Sequence, residues 1–209
     1  MNFKKTSSQV ELLGLCLSLL LLSGCAHYKA KPLRKLPVTT RESNEQTVSF
    51  EYHVLNRSDC KQYLDRNVHK KGYQPIQLTI ENNSSRSLHF SLSSFDIPCI
   101  EVDEVASKVH TSTVGRAVGY TVAGLVTCIW LLFIPAIVDG IGSDKANEQL
   151  DIDFSRKAMR NQVIAPNSTI NGLIFVPYER FDEDFSFSLA DHEKSEHFKL
   201  STVKHSVKV

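Results

Sequence analysis

Apolar positions along this chain follow two rhythms and two uninterrupted runs. From residue 48 a period of two sets in. Val48, Phe50, Tyr52 and Val54 alternate with polar residues, as in a strand with one face on a core. Ile76, Leu78 and Ile80, then Leu88, Phe90 and Leu92, repeat the pattern on either side of Asn82-Asn83-Ser84-Ser85. Asn tolerates positive φ and Ser closes local hydrogen bonds, so 73–95 is predicted to be a β-hairpin. Further on, Pro166-Asn167-Ser168 predicts a turn and Ile170 to Val176 a strand stopped at Pro177. Beyond the charged loop Glu179 to Asp184, Phe185, Phe187 and Leu189 alternate, as do Phe198 and Leu200. Short strands at this spacing predict a mainly β fold, an antiparallel sandwich around one modest core.

The period lengthens over Ser143 to Met159. Ala146, Leu150, Phe154 and Ala158 fall on one helical stripe. Ser143 is the expected N-cap, Asp144 lies in the first turn, and Arg156, Lys157 and Arg160 lie near the end. Docking on the sandwich is the expected role of this helix, with partner binding as the alternative.

One uncharged run covers Ala117 to Val138. As a continuous helix its 22 residues would reach about 33 Å, enough for a bilayer core. Gly115, Gly119 and Ala123 recur every four residues, a spacing that lets helices approach closely. Three readings stay open: a spanning helix, a hairpin dipping into the membrane and broken at Gly124 or Pro135, or packing on the sandwich or a partner. Spanning would put the two halves of the sandwich on opposite sides of a bilayer. Val118, Val122, Leu125, Trp130, Leu131 and Phe133 are the expected membrane or partner contacts. The whole hydrophobic and helical insert is expected over 101–160.

The other run, Leu12 to Leu22, follows Lys4 and Lys5 and is too short for an ordinary spanning helix. It ends in Leu22-Ser23-Gly24-Cys25, which resembles the bacterial lipobox. The resemblance implies that residues 1–24 are a signal peptide and that Cys25, diacylglycerylated and acylated, becomes the mature N-terminus. Several acyl chains hold a protein on a bilayer essentially permanently. Ala26 in place of an Asp implies sorting to the outer membrane of a bacterial envelope. Residues 25–46, polar and carrying Lys29, Lys31, Arg34 and Lys35, are expected to be a flexible tether that can touch anionic headgroups.

Tyr73 to Ser84, Leu88 to Leu92 with Phe95, Pro166 to Gly172 and Leu173 to Pro177 together resemble immunoglobulin-like modules of small bacterial secreted lipoproteins. The resemblance covers about 47–100 and 162–203 and is one of pattern. It implies an immunoglobulin-like sandwich over 47–203, interrupted by the insert, with no shared catalytic chemistry.

Charge and candidate chemistry add little. A net charge of +1 gives no reason to expect nucleic acid. Of five cysteines, Cys16 leaves with the signal and Cys25 takes lipid. In an oxidising envelope Cys60–Cys99 is the expected bridge, with Cys128 in the apolar run. Free thiols or another pairing remain the alternative. His192 and His197 flank a charged turn, but their spacing matches no metal-ligand pattern. There is no Gly-x-Ser-x-Gly, Cys-x-x-Cys or phosphate-cradling glycine loop, and no cofactor or metal is expected. The expected function is a non-enzymatic, lipid-anchored envelope protein that binds or supports another envelope component. A surface-displayed adhesin and an envelope hydrolase are the alternatives, and nothing in the sequence indicates an oligomeric state.

Overall fold

The alternating segments assemble into two antiparallel sheets. The structure, a computed structural model, describes residues 27–38, 48–111, 133–191 and 197–202, with the backbone alone for 133–143. Its strands are β1 (Val48–Val54), β2 (Tyr73–Asn82), β3 (Leu88–Phe90), β4 (Gln162–Ile164), β5 (Ser168–Pro177), β6 (Ser186–Asp191) and β7 (His197–Ser201). One sheet runs β1-β2-β5 and the other β4-β3-β6-β7. Helices α1 (Arg57–Leu64), α2 (Val102–Val109) and α3 (Phe133–Lys157) accompany them, so the fold is a helix-flanked, sandwich-like arrangement of antiparallel strands.

The described residues fall into two units. One holds 27–28, 110–111 and 133–150; the other holds 29–38, 48–109, 151–191 and 197–202. Within the first, Thr111 is clamped by Asn147: Thr111 N–H donates to Asn147 Oδ1 at 2.8 Å and Asn147 Nδ2 to Thr111 O at 3.2 Å. Both sheets belong to the second unit, as do α2 and the last turns of α3.

Register decides what the core contains. Phe50 pairs with Ile80, and Ile76 pairs with Ile174. The apolar sets of β1, β2 and β5 therefore share one face. They meet Leu88, Phe90, Ile164, Phe187, Leu189 and Leu200 of the other sheet in one buried cluster. Met159 joins this cluster over Gly172, where a Cβ would come within 2.8 Å of both the Met159 side chain and the Lys157 carbonyl.

The expected hairpin over 73–95 does not form. β2 and β3 lie in different sheets, and β2 pairs with β1 and β5 instead. Asn82 supplies the reason. Its fully buried side chain donates to the carbonyls of Arg86, Ile164 and Ala165 at 2.8, 3.2 and 3.0 Å. Its Oδ1 accepts from Ser84 N–H and Oγ. These bonds carry the chain across the sandwich rather than back alongside β2.

The outer face of β1-β2-β5 is also covered in part, around Leu173 and Phe175. Leu173 to Val176 are all buried, the mark of a strand packed on both faces. Phe154 stacks on Phe175 with centroids 6.0 Å apart, and α2 packs against β5. Buried Lys157 ties α3 to α1, donating to Tyr63 O at 2.6 Å and pairing with Asp153 at 2.5 Å. Ala146, Leu150 and Phe154 of the expected stripe are buried, whereas Ala158 lies past the helix and bridges to Leu173. Ser143 is not an N-cap, because the backbone is already helical from Phe133. Nor does Pro135 break the helix. Among the described residues no helix is long and apolar enough to cross a membrane.

Candidate functional site

At one end of β1 and β2 the chain makes several abrupt changes of direction. Leu55 is fully buried, and Asn56 then caps α1. Asn56 Oδ1 accepts from Ser58 N–H at 2.8 Å and Asp59 N–H at 3.0 Å, while Asp59 Oδ2 accepts from Asn56 N–H at 3.1 Å. This reciprocal capping box starts a helix that the apolar period does not reveal. After α1 a 3₁₀ turn, His69–Lys71, closes on Gly72, whose φ of 85° suits glycine. Tyr178, just beyond β5, is brought here by the pairing of Tyr73 with Pro177 and by its N–H bond to Gly72 O at 2.8 Å.

These segments bound an open cleft of about 440 Å³. Val54 supplies apolar lining, with fully buried Leu55 behind it; Asn56, Arg57, His69, Lys70, Gln74 and Tyr178 are the polar residues of the lining. Arg57 and Lys70 are exposed, and among the described residues neither makes an ion pair. No carboxylate lines the cleft. The closest in sequence, Asp59, is occupied by the Asn56 amide and by His53 Nε2 at 3.0 Å. Gln74 donates its amide nitrogen to Leu55 O and Pro75 O, leaving its oxygen as an acceptor.

His69 is oriented from behind. Its Nδ1 lies 3.7 Å from Cys60 Sγ, and its ring meets Tyr178 edge to face at 6.0 Å. Burial, helped by Asp59, pushes the Cys60 thiol up to about 12. Cys60 therefore stays a protonated thiol beside Nδ1, and Nε2 is the ring nitrogen left for other partners. The pair resembles a catalytic Cys–His dyad only in its distance, since a thiol held this way is a poor nucleophile.

The expected Cys60–Cys99 bridge is absent, and both residues are free. Cys60 lies in α1 beside His69, whereas Cys99 packs against the cluster between the sheets. The two thiols thus belong to different layers. Burial and then Glu101 push Cys99 up to about 12 as well. His197 is an exposed residue at the start of β7; His192 lies outside the described residues. Among the described residues no group of His, Cys, Asp and Glu could hold a metal ion. Cys25, Val118, Val122, Leu125, Trp130 and Leu131 lie outside the described residues. Phe133 starts α3, described through its backbone.

The expected tether is partly docked. Lys29 N–H donates to Asp65 Oδ2 and Lys31 N–H to Gln62 O, each at 2.9 Å. Arg34 O accepts from buried Gln77 Nε2 at 2.5 Å. Lys35 Nζ reaches Thr169 Oγ1 at 3.3 Å and Glu81 at 3.6 Å. Asp65 is the anchor of this strap. Burial raises its pKa, but Lys61, the Lys29 amide and Arg66 outweigh burial and hold the carboxyl below its usual range. A lowered folded pKa means stability that is present above the ordinary carboxylate range and is lost as pH falls through the folded value. Hydrogen–deuterium exchange at Lys29 and Lys31 is thus expected to accelerate below roughly pH 4, after correction for intrinsic rates. Asp65→Asn should produce the same release at neutral pH while tolerating the left-handed backbone at this position (φ 48°). Unchanged protection in that variant rules out the anchoring role.

No family model, curated protein or solved structure matches this chain.

Proposed function

We propose that this chain is a non-enzymatic protein of a bacterial cell envelope, anchored through acylated Cys25 to the outer membrane, whose sandwich binds or supports another envelope component. The observation that carries the reading is Leu22-Ser23-Gly24-Cys25 at the end of a short apolar run. The immunoglobulin-like reading gains support from the sheet partition: both β2→β3 and β5→β6 pass from one sheet to the other, as consecutive strands do in Greek-key sandwiches. Binding rather than covalent chemistry is favoured by Cys60, which stands beside a histidine yet is held as a thiol. Docking of Lys29 leaves three residues, Ala26 to Tyr28, between the acylated Cys25 and the folded domain, four steps along the chain. Extended, they reach about 14 Å, so a partner would be met close to the bilayer. The run Ala117–Val138 is a second candidate contact with membrane or partner.

Metabolic labelling with an alkyne-bearing fatty acid tests the anchor. The wild-type chain should take the label and sediment with membranes, and Cys25→Ser should take none. Label retained by Cys25→Ser, or absent from the wild type, refutes acylation at Cys25.

A further inference from the structure

We infer that the cleft between the start of α1, the His69–Lys71 turn and Tyr178 is a binding site for a phosphate monoester. This goes beyond the proposed anchor and does not depend on Cys25. Two cations, Arg57 and Lys70, line one concave space that has no lining carboxylate. They lack ion-pair partners among the described residues.

The other polar groups of the lining point to the same ligand class. Asn56 has committed its oxygen to the helix cap, so its free group is the NH₂. His69 offers Nε2, because Nδ1 is engaged by the Cys60 thiol, and its Nε2–H tautomer is a donor. Tyr178 adds a hydroxyl. Together with a guanidinium and an ammonium, these make a site rich in donors. Such a site suits an oxygen-rich anion. Two cations match a phosphate monoester, which carries about −1.5 to −2 charge at neutral pH, better than a single carboxylate. The Gln74 oxygen and half-buried Val54 suit the hydroxyls and carbons of the esterified part. The volume, about 440 Å³, is that of a small-molecule site.

The ester can arrive as a soluble metabolite or as a lipid headgroup, and the test separates these sources. Glycerol 3-phosphate is titrated calorimetrically into the full chain in neutral detergent, with glycerol as the control. In a parallel arm the chain is mixed with phosphatidylcholine vesicles with and without phosphatidic acid. Phosphate-dependent binding is expected in at least one arm, weakened about tenfold or more in Arg57→Gln/Lys70→Gln. Lys199→Gln, an exposed cation on β7, should leave it unchanged. Binding of glycerol 3-phosphate assigns a soluble ester, and binding confined to phosphatidic acid vesicles assigns a headgroup. No phosphate-dependent binding in either arm overturns the inference. So does equal binding by the double variant, or equal weakening by Lys199→Gln.

Discussion

Replacing Phe187 with alanine is expected to lower folding stability by about 3–5 kcal/mol. Phe187 is almost completely buried at the centre of the inter-sheet cluster. Its ring meets Phe50 edge to face at 5.3 Å and stacks on Phe95 at 4.7 Å. Phe95 in turn touches Phe90 and Phe185. Removal of one ring therefore strips contacts from both sheets at once. The cavity has little means of collapsing, because its neighbours are held in strand register: Phe187 pairs with Leu200 and bridges to Phe95. Against a usual domain stability of 5–15 kcal/mol, the loss is a large share. Phe187→Leu keeps apolar bulk and should cost distinctly less. Urea denaturation of the full chain, followed by circular dichroism, measures both. A midpoint for Phe187→Ala close to that of the wild type would show that this aromatic cluster does not hold the sheets together.

The strands of this core are legible in the sequence because alternation is a local signal. Val48, Phe50 and Tyr52, or Phe185, Phe187 and Leu189, each show their buried face within a few residues. The sheet to which a strand belongs is not local. Asn82-Asn83-Ser84-Ser85 has the chemistry of a turn, and that chemistry serves equally for a hairpin and for a crossing between sheets. Helix α1 escapes the apolar period because Arg57 to Leu64 buries just Cys60 and Leu64. Its visible signal is the capping pair Asn56 and Asp59. The strap at 29–35 reads as a linker because backbone groups make several of its bonds, and composition does not report those. The cleft is the least legible feature. Arg57, Lys70 and Tyr178 each look like ordinary surface residues. What unites them is the register that sets Pro177 opposite Tyr73. The disulfide expectation failed for a related reason: counting cysteines ignores layers, and Cys60 and Cys99 occupy different ones.

Asn82 allows that distinction between turn and crossing to be tested by substitution. Asn82→Ala is expected to destabilise the fold by about 3 kcal/mol, because it deletes a fully buried amide bonded through both its NH₂ and its oxygen, a loss of roughly 1–3 kcal/mol, although Arg86 O and Ala165 O keep bonds from Ser84 Oγ and Ser168 Oγ. The carbonyls concerned belong to Arg86, Ile164 and Ala165, so the loss falls on the crossing and on the end of β4 together. Asn82→Asp should be worse at neutral pH. A carboxylate can still accept from Ser84, but it cannot donate to three carbonyls, and it adds a buried charge. Asn82→Asp should therefore recover stability on acidification through its own titration, where Asn82→Ala should show no such recovery relative to wild type. Ser84→Ala removes a hydroxyl that bonds Asn82 Oδ1 at 2.6 Å and should cost about 1 kcal/mol. This order, Asp worse than Ala and Ala worse than the Ser84 change, is specific to an amide acting as a donor latch. An ordinary exposed turn would tolerate all three changes within about 0.5 kcal/mol, and that outcome in urea denaturation would remove Asn82 as the cause of the crossing.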